Sequence, residues 1–123
     1  GVGEALHTVV AEERRQQGSS ALQQGLIVMS LDELFGKFTS FFPNHIKIDV
    51  DGTEDRIIEG GQQTLTDARL RSILIELNED LPADRNIVTL LQGYGFRLER
   101  RSHAEMFDSG PYSMFYNYIF ARL

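Results

Sequence analysis

With 123 residues, 41% of them apolar and 24% charged, the chain can build one domain with a modest core but not two. Its 18 acids against 12 bases give a net charge of −6, which repels phosphate backbones. The basic clusters, Arg97/Arg100/Arg101 and Arg69/Arg71, are short or diluted by acids, so no nucleic-acid partner is expected. The absence of cysteine removes disulfides, thiolate zinc sites and cysteine nucleophiles. No apolar run approaches the ~18 residues of a membrane span, and residues 1–10 do not read as a signal peptide, so no membrane partner is expected and the cytosol is the expected compartment.

In chain order, residues 5–10 offer a short strand, and 11–25, with Gly18-Ser19-Ser20 and four glutamines, an exposed loop. Residues 26–29 are a short apolar run that reads as a strand. Ser30-Leu31-Asp32-Glu33 has the form of a capping box, and Leu31, Leu34, Phe35 and Phe38 follow at helical spacing, so this helix should bury one face before Pro43. Residues 45–50 alternate Ile46, Ile48 and Val50 with Lys47 and Asp49, a strand that ends in an Asp51-Gly52 turn. A helix is predicted over 53–65 in spite of Gly60-Gly61, whose cost in propensity a close packing contact would explain. Residues 72–77 form the second strong strand. Pro82 opens a helix assigned Asp84 as its cap, with Ile87, Val88, Leu91 and Tyr94 as its buried stripe and Gly93 and Gly95 at a left-handed end. Residues 96–100 and 114–121 complete the strands. The last is apolar on both sides, which predicts a strand inside the sheet and covered on both faces. Strands alternating with helices imply an α/β fold with parallel crossovers, the final two strands pairing antiparallel through the loop at 103–111.

In open parallel sheets ligands sit beyond the carboxyl ends of the strands. Here the first strong strand end presents Lys47, Asp49 and Asp51, with Glu54 opening the next helix, and the second presents Glu76 and Asn78, followed by Glu79 and Asp80. If the two strands are neighbours, Asp49, Asp51, Glu76 and Asn78 share a crevice with Lys47 beneath them. Lys47 is expected to be a paired, buried charge. Asp51 has two competing roles, as a ligand-facing acid and as a helix cap. Glu79 and Asp80 are expected to be solvated. His45 and His103 are isolated in the sequence and carry no assignment, nor does His7. The set Tyr112, Phe115, Tyr116, Tyr118 and Phe120 is expected in the core rather than as a stacking platform.

Two motif readings compete for the first strand end. Asp49-Val50-Asp51-Gly52-Thr53 has the form of the nucleophile loop of haloacid dehalogenase-like phosphatases. That chemistry also needs a later lysine to hold the phosphate, and no lysine follows Lys47. The second reading covers more of the chain. Ile46-Lys47-Ile48-Asp49-Val50-Asp51-Gly52 with Glu54, then Ile57-Ile58-Glu59-Gly60-Gly61, resembles the central signature of FkbM-type methyltransferases. Ser30-Leu31-Asp32-Glu33-Leu34 resembles the segment before it. Ile73-Leu74-Ile75-Glu76-Leu77 and Leu90-Leu91 with Gly93-Tyr94-Gly95-Phe96 resemble the segments after it.

The resemblance implies a three-layer Rossmann-like methyltransferase sheet, of which this chain would hold the C-terminal strands four to seven, the last antiparallel and inserted beside the fifth. It implies S-adenosylmethionine as cofactor and a hydroxyl on a small molecule or glycan, such as a sugar or secondary metabolite, as acceptor. Asp49, Asp51, Glu54 and Glu76 would be the catalytic acids, with Asp51 orienting a reacting group and Glu76 positioning Asp49 and Lys47. A magnesium ion is the lesser alternative for an oxygen-rich crevice, and no metal ligand is assigned. The family's glycine-rich turn after the first strand, and its ribose-binding acid, have no counterpart here. Gly1-Val2-Gly3 follows no strand and lacks the third glycine. The chain alone is therefore expected to be inactive, the alternative being a non-catalytic binding or assembly module. Without its neighbour, the 45–50 edge is expected to be covered by residues 5–10 or 26–29, or to join two copies as a homodimer.

Overall fold

The computed structural model describes residues 22–122. The expected strand at 5–10 and most of the loop at 11–25 lie outside them. Among the described residues four strands make one sheet: β1 (His45–Ile48), β2 (Ser72–Asn78), β3 (Arg97–Ser102) and β4 (Phe115–Ala121). Their spatial order is β1-β2-β4-β3. β1 runs parallel to β2, whereas β4 is antiparallel to both β2 and β3. This order and these directions are compatible with strands four to seven of a Rossmann-like methyltransferase sheet.

The alternation of the strands decides which face is buried. Ile48 on β1, Ile73, Ile75 and Leu77 on β2, and Tyr118 and Phe120 on β4 point to one side and are buried. They meet Ile58, Leu65, Ile87 and Leu91 from the helices in a single core. On the other side lie Lys47, Leu74, Glu76, Asn117 and Ile119, exposed or half-buried. β4 is inside the sheet as expected, but the expectation that both its faces are covered is corrected: among the described residues only the Tyr118/Phe120 side is packed over and buried. Among the described residues the fold therefore shows two layers, a sheet and the helices on one face.

One expected strand and two expected helices need correction. Residues 26–29 form no strand, and Ile27 is 91% exposed. Four apolar residues without a paired neighbour have no ladder to join. The capping-box helix is one short α-helical turn, α1 (Leu31–Glu33), continued by a π-helical turn at Leu34–Phe38, and it buries no residue fully. Ser30 does cap it, accepting from the Glu33 N–H at 3.1 Å. The predicted helix over 53–65 is two helices, α2 (Glu54–Glu59) and α3 (Gln62–Thr66), broken at Gly60-Gly61.

The break and the two glycines have one cause. A Cβ on Gly60 would stand 3.0 Å from the Ser30 Cβ, and one on Gly61 only 2.9 Å from the Leu31 Cδ1. The Ser30-Leu31 segment presses on the glycine pair, as the sequence suggested. Asp32 then completes the junction. Its carboxylate accepts from the N–H groups of Gln63 (3.0 Å) and Thr64 (2.7 Å) and from the Thr64 hydroxyl (2.7 Å). It thus supplies α3 with the N-terminal acceptor that Gly61 lacks.

The last helix, α4 (Pro82–Gly93), begins with proline in its first turn, where a missing N–H costs nothing. Leu81, not Asp84, is its N-cap residue; Asp84 lies inside the first turn, buried, and accepts from the Asn78 N–H at 2.8 Å. At the other end Gly95 takes φ +97°. The Phe96 N–H reaches the Leu91 carbonyl and the Gly95 N–H the Gln92 carbonyl, both at 3.1 Å, the paired bonds of a Schellman cap.

Candidate active site

Both strand ends that the sequence singled out open on one cavity of about 580 Å3. Because β1 and β2 are parallel and in register, with Lys47 beside Leu74 and Ile48 beside Ile75, the residues that follow them emerge side by side. Asp51, Gly52 and Glu54 line the cavity from the β1 end, Glu76 and Asn78 from the β2 end, and Asn117 from β4. The loop between β3 and β4 adds His103, Phe107 and Tyr112. No lysine or arginine is among the described lining residues.

Three of the sequence-selected acids, Asp51, Glu54 and Glu76, thus line one space. Asp49 does not line it. It pairs with Lys47 at 3.6 Å on the sheet surface, where the two side chains are 66% (Lys47) and 61% (Asp49) exposed. The expectation that Lys47 is a buried charge beneath the acids is corrected accordingly: strand alternation carries it to the face that no described helix covers. Asp49 still acts at a distance. Burial pushes the Glu76 carboxyl up, and the charges of Asp49 and then Asp51 push it further, while Lys47 opposes them. Glu54, only 4% exposed, is likewise raised, first by burial and then by Asp84 and Glu76. The N–H groups of Glu54 itself and Gly52 pull the other way. Asn78 lines the cavity while its side-chain oxygen accepts from the Asp80 N–H at 3.0 Å, an Asx turn that fixes the end of β2.

Glu79 is not the solvated loop acid expected from the sequence. It accepts from the Arg101 guanidinium and the Tyr118 hydroxyl. The Arg101 guanidinium beside it holds its carboxyl below the usual value. Arg101 also stacks on Tyr116 at 3.8 Å, and the His103 ring stacks on Tyr116 at 3.9 Å. Tyr116 is therefore a stacking residue, whereas Tyr118 and Phe120 are core. The sequence alone gives His103 no role because its partners, Asp108 and Tyr116, come from the following loop and the next strand. Arg122 gave no signal either. Its guanidinium donates to the carbonyls of Leu70 (3.0 Å), Tyr94 (2.5 Å) and Leu65, and it stacks on Phe96 at 3.9 Å.

Among the described residues no group of three or more His, Asp or Glu side chains is arranged to hold a metal ion. No described helix is long and apolar enough to cross a membrane. The model of the FkbM methyltransferase domain matches residues 4–98 of the chain. The chain belongs to the FkbM methyltransferase family. Searches of curated proteins and of solved structures give no match. The FkbM match takes in both acid-bearing strand ends and α4, so the cavity is built largely from family-defining sequence, and the β3–β4 loop that closes it falls beyond the matched stretch.

Proposed function

We propose that this FkbM domain takes part in the transfer of a methyl group from S-adenosylmethionine to a hydroxyl of a neutral acceptor, a sugar or a secondary metabolite. The observation that carries the reading is the cavity itself: four acids, Asp51, Glu54, Glu76 and Asp84, with no lysine or arginine among the described lining residues, facing the aromatic side chains Phe107, Tyr112 and Phe115. The negative wall favours the positive end of such a cofactor and disfavours a phosphorylated or carboxylated acceptor. The aromatic wall offers apolar faces to a sugar or a ring.

When bound, S-adenosylmethionine supplies a methyl group already made electrophilic by its sulfonium. The chain's own residues then have the tasks of alignment and proton control. Asp51, on the exposed turn after β1, accepts hydrogen bonds from the cofactor's amino group or from a neighbouring, non-reacting hydroxyl of the acceptor. Glu54 and Glu76 set the negative field around the reacting atoms, and Asp49 adds to it through Glu76.

Calorimetric titration of S-adenosylmethionine tests the reading. Saturable binding is expected from the full-length protein with a glycine-rich turn, and none at micromolar concentration, a scale of about 8 kcal/mol, from this stretch alone. Methyl transfer to neutral glycosides should accompany binding in the former. In that protein Asp51→Asn should lower turnover and leave the unfolding midpoint in place. An unchanged rate with a lowered midpoint would make Asp51 a structural residue only, although not the helix cap that the sequence offered, since Thr53 holds the N-cap position of α2 and no side chain caps it.

A further inference from the structure

His103 follows the last residue of β3 and lines the cavity opposite the acids. Its Nε2 lies 2.8 Å from Asp108 Oδ1. An ionised carboxylate can only accept, so the hydrogen of a neutral ring resides on Nε2 and the lone pair on Nδ1. That Nδ1 is buried and has no hydrogen-bond partner. Two neighbouring acids are already engaged: Asp108 by the ring, Glu79 by Arg101 and Tyr118. Stacking on Tyr116, with the planes 17° apart, fixes the ring's plane. The side chain is only 12% exposed. A buried acceptor without a donor costs about 1–3 kcal/mol, and an oriented, desolvated imidazole nitrogen on a residue that lines a cavity is the arrangement expected of a proton acceptor whose donor arrives with the ligand.

Resting on the methyl-transfer reading above, we propose that His103 Nδ1 receives the hydrogen of the acceptor hydroxyl and removes it as a proton when the methyl group is transferred, with Asp108 as the positioning residue. The balance is simple. The hydroxyl oxygen forms a bond to the methyl carbon as the carbon–sulfur bond breaks. The electron pair stays on sulfur, which becomes a neutral thioether. The hydroxyl proton goes to Nδ1, leaving an imidazolium paired with Asp108. The charges around this ring are Asp108 on its own loop, Glu79 and Arg101 beside it, and Asp51, Glu54, Glu76 and Asp84 elsewhere on the cavity lining. The imidazolium that the step creates is held by the Asp108 carboxylate, 2.8 Å from Nε2.

Two measurements test the assignment. Long-range proton–nitrogen correlation spectra of this chain should show His103 with its hydrogen on Nε2. Addition of methyl α-glucoside, a neutral hydroxyl probe, should then shift Nδ1 selectively, and Asp108→Asn should disturb the tautomer. In the full-length protein His103→Gln should lower kcat by roughly 100-fold or more, remove the acid limb of the pH–rate profile, and leave the KM for S-adenosylmethionine unchanged. A ring that carries its hydrogen on Nδ1, or a His103→Gln protein with wild-type kcat and pH profile, would overturn the proposal. If the wild type transfers no methyl group to any hydroxyl while Nδ1 still responds to the glucoside, the methyl-transfer reading fails and His103 stands as a hydroxyl-binding residue.

Discussion

Replacing Arg122 by methionine removes a guanidinium and keeps its apolar stem. The guanidinium joins three pieces of chain: the end of α3 through Leu65, the loop before β2 through Leu70, and the end of α4 through Tyr94. Hydrogen bonds from a charged donor contribute about 1.5–3 kcal/mol each when fully buried. Arg122 is half-buried, and the freed carbonyls regain some water. Discounting the three bonds for that exposure and adding the contact with Phe96, the expected loss is about 3 kcal/mol. Arg122→Lys should recover only part of it, because an ammonium cannot span the fork. Urea unfolding followed by far-ultraviolet dichroism measures both variants. A loss below about 1 kcal/mol for the methionine variant would refute the view that one side chain clamps these three ends.

Gly61→Ala should destabilise by about 1–3 kcal/mol, since the new methyl meets Leu31 at 2.9 Å and the Ile57 carbonyl at 3.2 Å; a neutral result by thermal melting would show that the Leu31 side chain simply moves. Glu54→Gln should raise stability at pH 7. The folded carboxyl is shifted up from 4.5, so the folded state holds its proton more tightly, and that contribution is present below pH 4.5 and lost as pH rises through the folded value. The advantage of the glutamine should therefore vanish in denaturant curves taken below pH 4.5. Tyr118→Phe should cost about 1 kcal/mol by removing the donor to Glu79, and an unchanged urea midpoint would mean that Arg101 alone satisfies that acid.

The sheet was legible because its strands carry their own periodicity. Ile46 and Ile48, then Ile73, Ile75 and Leu77, alternate cleanly, and the parallel register that follows brings Asp51 and Glu76 to one cavity. The glycine pair was legible as a contact but not as a break, because its cause, Ser30 and Leu31, lies some thirty residues upstream. Asp84, Glu79, His103 and Arg122 escaped for a related reason. Each is defined by a partner that local spacing does not contain: a strand-end N–H, an arginine on β3, a loop aspartate, three scattered carbonyls. Short apolar runs misled in the opposite way. Residues 26–29 resemble a strand locally and have no neighbour to pair with, so they do not cover β1, and among the described residues no strand lies on its outer side. The 5–10 segment lies outside the described residues. Pairing of two copies at this edge remains our proposal for its alternative, with sedimentation as the test.

The strand order also has a consequence for how the chain is made. β4 is synthesised after the other three strands but sits between β2 and β3. As the chain emerges from a ribosome, β2 has an open flank and β3 has no partner until residues 115–121 arrive. An unpaired strand in a half-made protein is a template for the wrong neighbour. β3 passes that interval carrying Arg97, Glu99, Arg100 and Arg101, a sequence too charged to stick to another exposed edge. The same arginines that dilute the pattern of the strand thus act as its gatekeepers during birth, and replacing Arg97 and Arg100 by valine should leave the folded protein intact while lowering its soluble yield.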